Sequence, residues 1–76
     1  MTVASIIRTG RLNLGLTQQQ VADLLQVSVR TISQWENGEG LPARWRLKQI
    51  ESAVALDEHT FDRLVAAWVE ARTLPV

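Results

Sequence analysis

The stretch between Thr17 and Gly38 constrains the fold of this chain most strongly, because it contains two helix starts only 11 residues apart. Thr17 is followed three residues later by Gln20, which makes a capping box in which each side chain satisfies the other residue's backbone amide. Ser28 provides a second N-cap, and Gly38 provides a helix stop, because glycine readily adopts the left-handed conformation that closes a helix. The stretch therefore predicts two short helices, the first beginning at about Gln18, joined by a sharp turn.

The side chains of these two helices divide into an inward and an outward set. Apolar residues converge inside the corner between the helices, namely Val21, Ala22, Leu25, Val27, Ile32 and Trp35. The outward face of the second helix carries Val29, Arg30, Ser33 and Gln34. Such a face suits the major groove of DNA, since arginine pairs with guanine and glutamine with adenine. The alternative is an ordinary solvated helix face, and helix capping alone does not decide between the two.

This pattern resembles the DNA-binding helix-turn-helix of the Cro and phage-repressor (XRE) family, from Ile7 to about Val54. The resemblance rests on the joint order and spacing of short motifs: Ile7, Arg8 and Arg11; Gly15 to Gln18; Ala22; Thr31 to Ser33; Trp35 to Gly38; and Pro42, Leu47 and Ile50. It implies a compact all-α fold of five helices, with the helix-turn-helix at helices 2 and 3. It also implies a sequence-specific transcriptional regulator, expected to be a repressor, with residues 28–36 in the major groove of double-stranded DNA.

The resemblance assigns DNA contacts residue by residue. Bases are expected to contact Ser28, Val29, Arg30, Ser33 and Gln34, and the phosphate backbone is expected to contact Arg11, Gln18, Thr31, Asn37 and Arg44. Arg11 is also expected to pair with Glu36, which leaves open whether Arg11 contacts DNA or is purely structural. Two departures from the family pattern concern stability rather than recognition. Gln26 replaces the usual glycine of the turn, and Gly10 replaces a large apolar residue of the first helix.

The other helices are predicted from apolar spacing and from caps. They are a first helix at Val3–Asn13, a fourth helix with Pro42 in its first turn and its end near Ala55, and a fifth helix capped by Asp57 that ends near Arg72. In the first helix, Val3, Ile7, Gly10 and Leu14 are expected to lie on one face. On the fifth helix, a wide apolar stripe is expected to form a homodimer interface through Phe61, Val65, Trp68 and Val69. Two copies would bind half-sites about 10 base pairs apart on a pseudo-palindrome.

The composition limits the class of protein. The 76 residues, of which 46% are hydrophobic, suffice for one domain, predicted at residues 1–72 with a short tail at 73–76. The sequence has no cysteine and one isolated histidine, His59, so we expect neither a metal nor a cofactor. No catalytic arrangement is visible, and an enzyme is not expected. Because no segment reads as a membrane span or a signal peptide, the expected location is the cytoplasm.

The net charge of zero argues against a nucleic-acid partner, because the phosphate backbone rewards excess positive charge. The charges are unevenly distributed, however: residues 1–48 contain six basic and three acidic residues, a net charge of +3, whereas residues 49–76 contain two basic and five acidic residues, a net charge of −3. Two alternatives therefore stay open. One is an antitoxin whose acidic rear half binds a toxin while the front binds its own promoter; the other is a protein-interaction adaptor that has lost affinity for DNA. An anti-repressor is a further conceivable protein partner.

Overall fold

Five α-helices and one short 3₁₀ turn make up the computed structural model, which describes residues 2–73 and contains no strand within them. The helices are α1 (Val3–Asn13), α2 (Gln18–Leu25), α3 (Val29–Glu36), α4 (Leu47–Val54) and α5 (Thr60–Thr73), and the 3₁₀ turn is Arg44–Arg46. The predicted all-α fold of five helices is confirmed. No helix in this part of the chain is long and apolar enough to cross a lipid bilayer. The predicted tail lies outside the described residues except for Thr73, the last residue of α5.

Local hydrogen bonds set the two helix starts of the central stretch, as predicted. Thr17 Oγ1 accepts from the amide of Gln20 at 3.0 Å, and Gln20 Oε1 accepts from the amide of Thr17 at 2.8 Å. Ser28 Oγ accepts from the amide of Thr31 at 3.2 Å. Between the helices, Gln26 has a φ of 57°, the left-handed conformation that costs a residue other than glycine roughly 1–2 kcal/mol.

All five helices contribute side chains to one hydrophobic core. Its largest fully enclosed members are Ile7 of α1, Val21 of α2, Ile32 of α3, Leu47, Ile50 and Val54 of α4, and Leu64 of α5. The prediction that Leu14 shares one face with Val3, Ile7 and Gly10 is wrong, because α1 ends at Asn13 and Gly15, at a φ of 73°, turns the chain away. Leu14 is consequently 46% exposed, and Ile6 is buried on the inner face of α1.

Gly10 brings α1 close to the C-terminal end of α4. A Cβ atom built on Gly10 would lie 2.9 Å from Cβ of Val54 and closer still to the Val54 carbonyl oxygen. The sequence predicts that glycine at this position weakens α1, and that effect remains. The packing adds an opposite, stabilising effect of glycine, because the two backbones approach each other through the space that a side chain would fill.

The fourth helix begins later than predicted. Pro42 lies before the 3₁₀ turn rather than in the first turn of the helix, and α4 begins at Leu47. The Pro42 carbonyl oxygen accepts a hydrogen bond from Nε1 of Trp68 at 2.7 Å, while the amide of Arg46 donates to the carbonyl of Ala43 at 2.9 Å. The hydrogen bond that would start an α-helix at this point, from residue 46 to residue 42, is therefore replaced. The helix ends at Val54, close to the predicted end.

The fifth helix also begins later than predicted, at Thr60 instead of directly after Asp57. Oδ1 of Asp57 accepts from the amide of His59 at 2.8 Å, so this side chain closes a local turn instead of capping the helix. The same hydrogen bond holds the pKa of Asp57 below its usual value, and the guanidinium of Arg63 contributes to that shift. Thr60 is buried, and its hydroxyl accepts from the amide of Leu56 at 3.2 Å, which fixes the end of the turn.

Candidate nucleic-acid interface

Helix α3 has one face in the core and one face in solvent. Its inward side chains, Ile32, Trp35 and Glu36, are buried. Of its outward side chains, Val29 and Arg30 are exposed and Ser33 and Gln34 are half-buried. The predicted division of this helix is therefore confirmed, and the four outward residues form a continuous strip along it, which we call the reading face.

The polar groups in and beside the reading face differ in the hydrogen bonds and ion pairs that they make within the chain. Ser28 at its start uses its hydroxyl for the cap and lies 3.0 Å from the hydroxyl of Thr31. Ser33 Oγ accepts from Nδ2 of Asn37 at a long 3.4 Å. Arg30, in contrast, takes part in none of the ion pairs among residues 2–73. Its guanidinium is therefore available to a ligand outside the chain.

A buried carboxylate joins the first three helices behind the reading face. Glu36, at the end of α3, accepts from Arg11 through Nε at 2.7 Å and through Nη2 at 3.0 Å. Gln18 Nε2, at the start of α2, donates to the same carboxylate at 3.2 Å. Arg11 Nη1 also donates to the carbonyl oxygen of Leu16 at 3.0 Å. One carboxylate thus fixes the end of α3 to α1 and to the start of α2.

The predicted pair between Arg11 and Glu36 is confirmed, and it is well shielded from water. The side chain of Glu36 is 2% exposed and that of Arg11 is 11% exposed. The hydrogen bond to Glu36 raises the pKa of Arg11 above its usual value. Three of the five guanidinium N–H donors are engaged within the chain, so this arginine is first of all a structural tie. Its contact with a phosphate stays a prediction.

The other residues predicted to contact the DNA backbone lie at or beyond the ends of α2 and α3. Gln18 and Thr31 are half-buried in the first turns of α2 and α3, respectively. Asn37 and Arg44 are exposed, the first directly after α3 and the second at the start of the 3₁₀ turn. Amide groups at a helix start and exposed basic side chains are groups that bind phosphate. Their contacts with DNA remain predictions.

The 3₁₀ turn places an exposed tryptophan between two arginines. Trp45 is 64% exposed, and the guanidinium of Arg46 lies over its ring at 4.4 Å from the centroid. Arg46 also donates to the carbonyl oxygen of Leu25, the last residue of α2, at 3.3 Å. Arg46 is therefore engaged within the fold rather than an ordinary solvated charge. This arginine holds the 3₁₀ turn beside the corner of the helix-turn-helix, whereas Arg44 is exposed.

The predicted dimer residues of α5 are mostly covered by their own chain. Phe61, Val65 and Trp68 are half-buried and pack against the core, and only Val69 of the four is exposed, at 43%. The ring of Phe61 is also covered by the ammonium of Lys48, 4.5 Å from the centroid. The apolar area left for a partner is therefore smaller than the sequence predicts. A dimer through this helix stays a prediction.

The three helices described above lie largely within the part of the chain that matches known proteins. Residues 7–60 match a family model described as helix-turn-helix. A 54-residue alignment with the HTH-type transcriptional activator BcrR of Enterococcus faecalis shows 44% identity. That alignment covers 68% of this chain and 25% of the relative, so the chain corresponds to about a quarter of that protein's length. A search of solved structures gave no significant match.

Proposed function

The chain belongs to the XRE-type helix-turn-helix family of DNA-binding transcription regulators, and we propose that it recognises a specific DNA sequence by placing α3 in the major groove. The observation that carries the proposal is the reading face. Its four side chains point away from a helix whose other face is fixed by the core and by the buried carboxylate of Glu36. A rigid helix with a free polar strip is what direct readout of base edges requires.

The chemistry of the reading face suggests a role for each residue. Arg30 has the geometry for two parallel hydrogen bonds to O6 and N7 of guanine, and Gln34 for a matching pair with adenine. Val29 offers its methyl groups to the methyl group of thymine, and Ser28 and Ser33 add short polar contacts. The backbone would be held by Gln18, Thr31, Asn37 and Arg44, with Arg11 behind them. The basic front half of the chain, with its net charge of +3, supports this orientation.

We further propose that two copies bind a pseudo-palindrome with half-sites about 10 base pairs apart, because one short helix reads too few bases for useful specificity.

A domain of this kind that covers a promoter excludes polymerase, so repression is the expected result where the bound sequence overlaps a promoter. The relative BcrR is named an activator. Whether binding represses or activates transcription is measured with a reporter gene that carries the bound sequence, whose expression is compared with and without the protein. A regulator of bacterial or phage DNA would act in the cytoplasm.

Selection from a randomised duplex library, at low and at moderate salt, tests the proposal. We expect enrichment of a pseudo-palindromic motif, with affinity that falls as salt rises. Arg30→Ala and Gln34→Ala should each relax the preference at a different base pair by about tenfold. Arg63→Ala removes the same charge as Arg30→Ala from α5, and it should leave the motif unchanged.

The result that would refute the proposal is a library in which no sequence is enriched and in which the two variants behave like the wild type. Absence of binding even at low salt would favour the adaptor, for which the zero net charge is the supporting observation.

A further inference from the structure

A short segment with few hydrogen bonds of its own leads from α3 to the 3₁₀ turn. We call residues 39–43 the linking segment. Within residues 2–73, its backbone between Gly40 and Pro42 takes part in no backbone–backbone hydrogen bond. Pro42 ties this segment to the rest of the fold, because it is buried and its carbonyl oxygen accepts a hydrogen bond from Nε1 of Trp68 at 2.7 Å.

Trp68 is well placed to hold this segment still. It follows Ala67, which is buried, and its half-buried ring packs against the core. The guanidinium of Arg72 lies over the ring at 5.0 Å from the centroid and limits its movement further. Because an indole has a single N–H donor, the bond to Pro42 uses the whole hydrogen-bonding capacity of this side chain.

Two residues after Pro42, the chain reaches Arg44. This arginine is exposed and begins the 3₁₀ turn, and its direction depends on where the linking segment delivers the backbone. A flexible segment would let Arg44 sample many positions, and binding would then have to order it at an entropic cost. A segment held by Trp68 fixes the backbone from which Arg44 extends and so narrows the range of positions that its guanidinium samples before DNA arrives.

We propose that Trp68 is a positioning residue for DNA binding, which acts through the linking segment on Arg44. The inference rests on the proposed function, in which Arg44 contacts the DNA backbone. It gives the fifth helix a part in recognition although that helix lies outside the helix-turn-helix. It also gives a reason for a tryptophan at this position, since phenylalanine would keep an aromatic ring there but could not donate to Pro42.

The experiment is a double-mutant cycle measured on a 20-base-pair duplex that contains the enriched motif. Trp68→Phe keeps an aromatic ring and removes the N–H donor. We expect it to weaken binding about fivefold in the wild-type background and to change it less than about twofold in the Arg44→Ala background. Arg44→Ala should also lower the slope of log affinity against log salt by about one, the loss of one phosphate contact. Trp68→Phe should lower that slope as well.

A control separates positioning from stability. Leu64→Val removes apolar contacts from the core face of the same helix and leaves the bond to Pro42, so it should lower the unfolding temperature without changing the effect of Arg44→Ala. Trypsin cleavage after Arg44 gives a readout without DNA, and it should become faster in Trp68→Phe than in Leu64→Val at matched stability.

The outcomes distinguish this inference from the proposed function. Equal weakening by Trp68→Phe in both backgrounds overturns the inference. An Arg44→Ala variant that binds the duplex as tightly as the wild type overturns it as well. In both cases sequence-specific binding by the wild type survives. A library without any enriched sequence instead overturns the proposed function, and this inference with it.

Discussion

Replacing Gly10 with alanine sets two effects of opposite sign against each other. Helix propensity alone predicts that Gly10→Ala stabilises α1 by about 1 kcal/mol. The packing predicts the reverse, because the new methyl carbon would lie 2.9 Å from Cβ of Val54, whereas carbon atoms prefer about 3.5–4.0 Å. It would also meet the Val54 carbonyl oxygen, a backbone atom that cannot rotate away.

The magnitude follows from these two terms. Overpacking of a core typically costs about 1–3 kcal/mol, and contact with the backbone places this case near the upper end. After subtraction of the propensity gain, Gly10→Ala should lower the free energy of unfolding by about 2 kcal/mol. For a domain of this size that corresponds to a fall in unfolding temperature of roughly 8–16 °C.

Thermal unfolding followed by circular dichroism measures the change. Gly40→Ala is the matched control, because a Cβ atom at that position meets nothing within 4 Å. This control should leave the unfolding temperature unchanged or raise it slightly. A Gly10→Ala variant as stable as the wild type, or more stable, would show that α1 and α4 are not held at the described distance.

Two further predictions concern stability. Glu36→Ala should lower the free energy of unfolding by about 3 kcal/mol in denaturant titrations, because it leaves a shielded arginine without its partner. Glu51→Ala removes a carboxylate from a pair with an exposed lysine and should cost less than about 1 kcal/mol, and equal effects of the two substitutions would contradict the reasoning. Gln26→Gly should raise the free energy of unfolding by about 1 kcal/mol, since it relieves the left-handed conformation of the turn. Gln19→Gly, inside α2, should lower it by a similar amount, and a decrease for both variants would refute the role assigned to the turn.

The parts of the fold that were predictable from the sequence are those that depend on near neighbours in the chain. The cap formed by Thr17 and Gln20 involves residues three positions apart, and so does the cap at Ser28. The apolar spacing of α3 likewise identified its buried and its solvent-facing sides. The pair of Arg11 and Glu36 is a long-range contact, and it came from the family resemblance rather than from local pattern.

Two features that the sequence did not reveal depend on contacts between distant residues. Local rules place Pro42 in the first turn of a helix, yet its carbonyl oxygen accepts a hydrogen bond from a tryptophan 26 residues away. The close approach at Gly10 depends on the path of α4 and has no local signal. Asp57 is a local case, because its side chain accepts from the amide of His59, two residues on, and closes a turn before the helix.

The separation between the two faces of α3 has a consequence for how such a protein diversifies. The residues that hold the helix in place, Ile32, Trp35 and Glu36, are distinct from those of the reading face. Substitutions at exposed positions such as Val29 and Arg30 typically change stability by less than about 0.5 kcal/mol. Under the proposed function, new target preferences can therefore be acquired by exchange of a few solvent-facing residues, by mutation or by laboratory selection, while the scaffold that carries them stays intact.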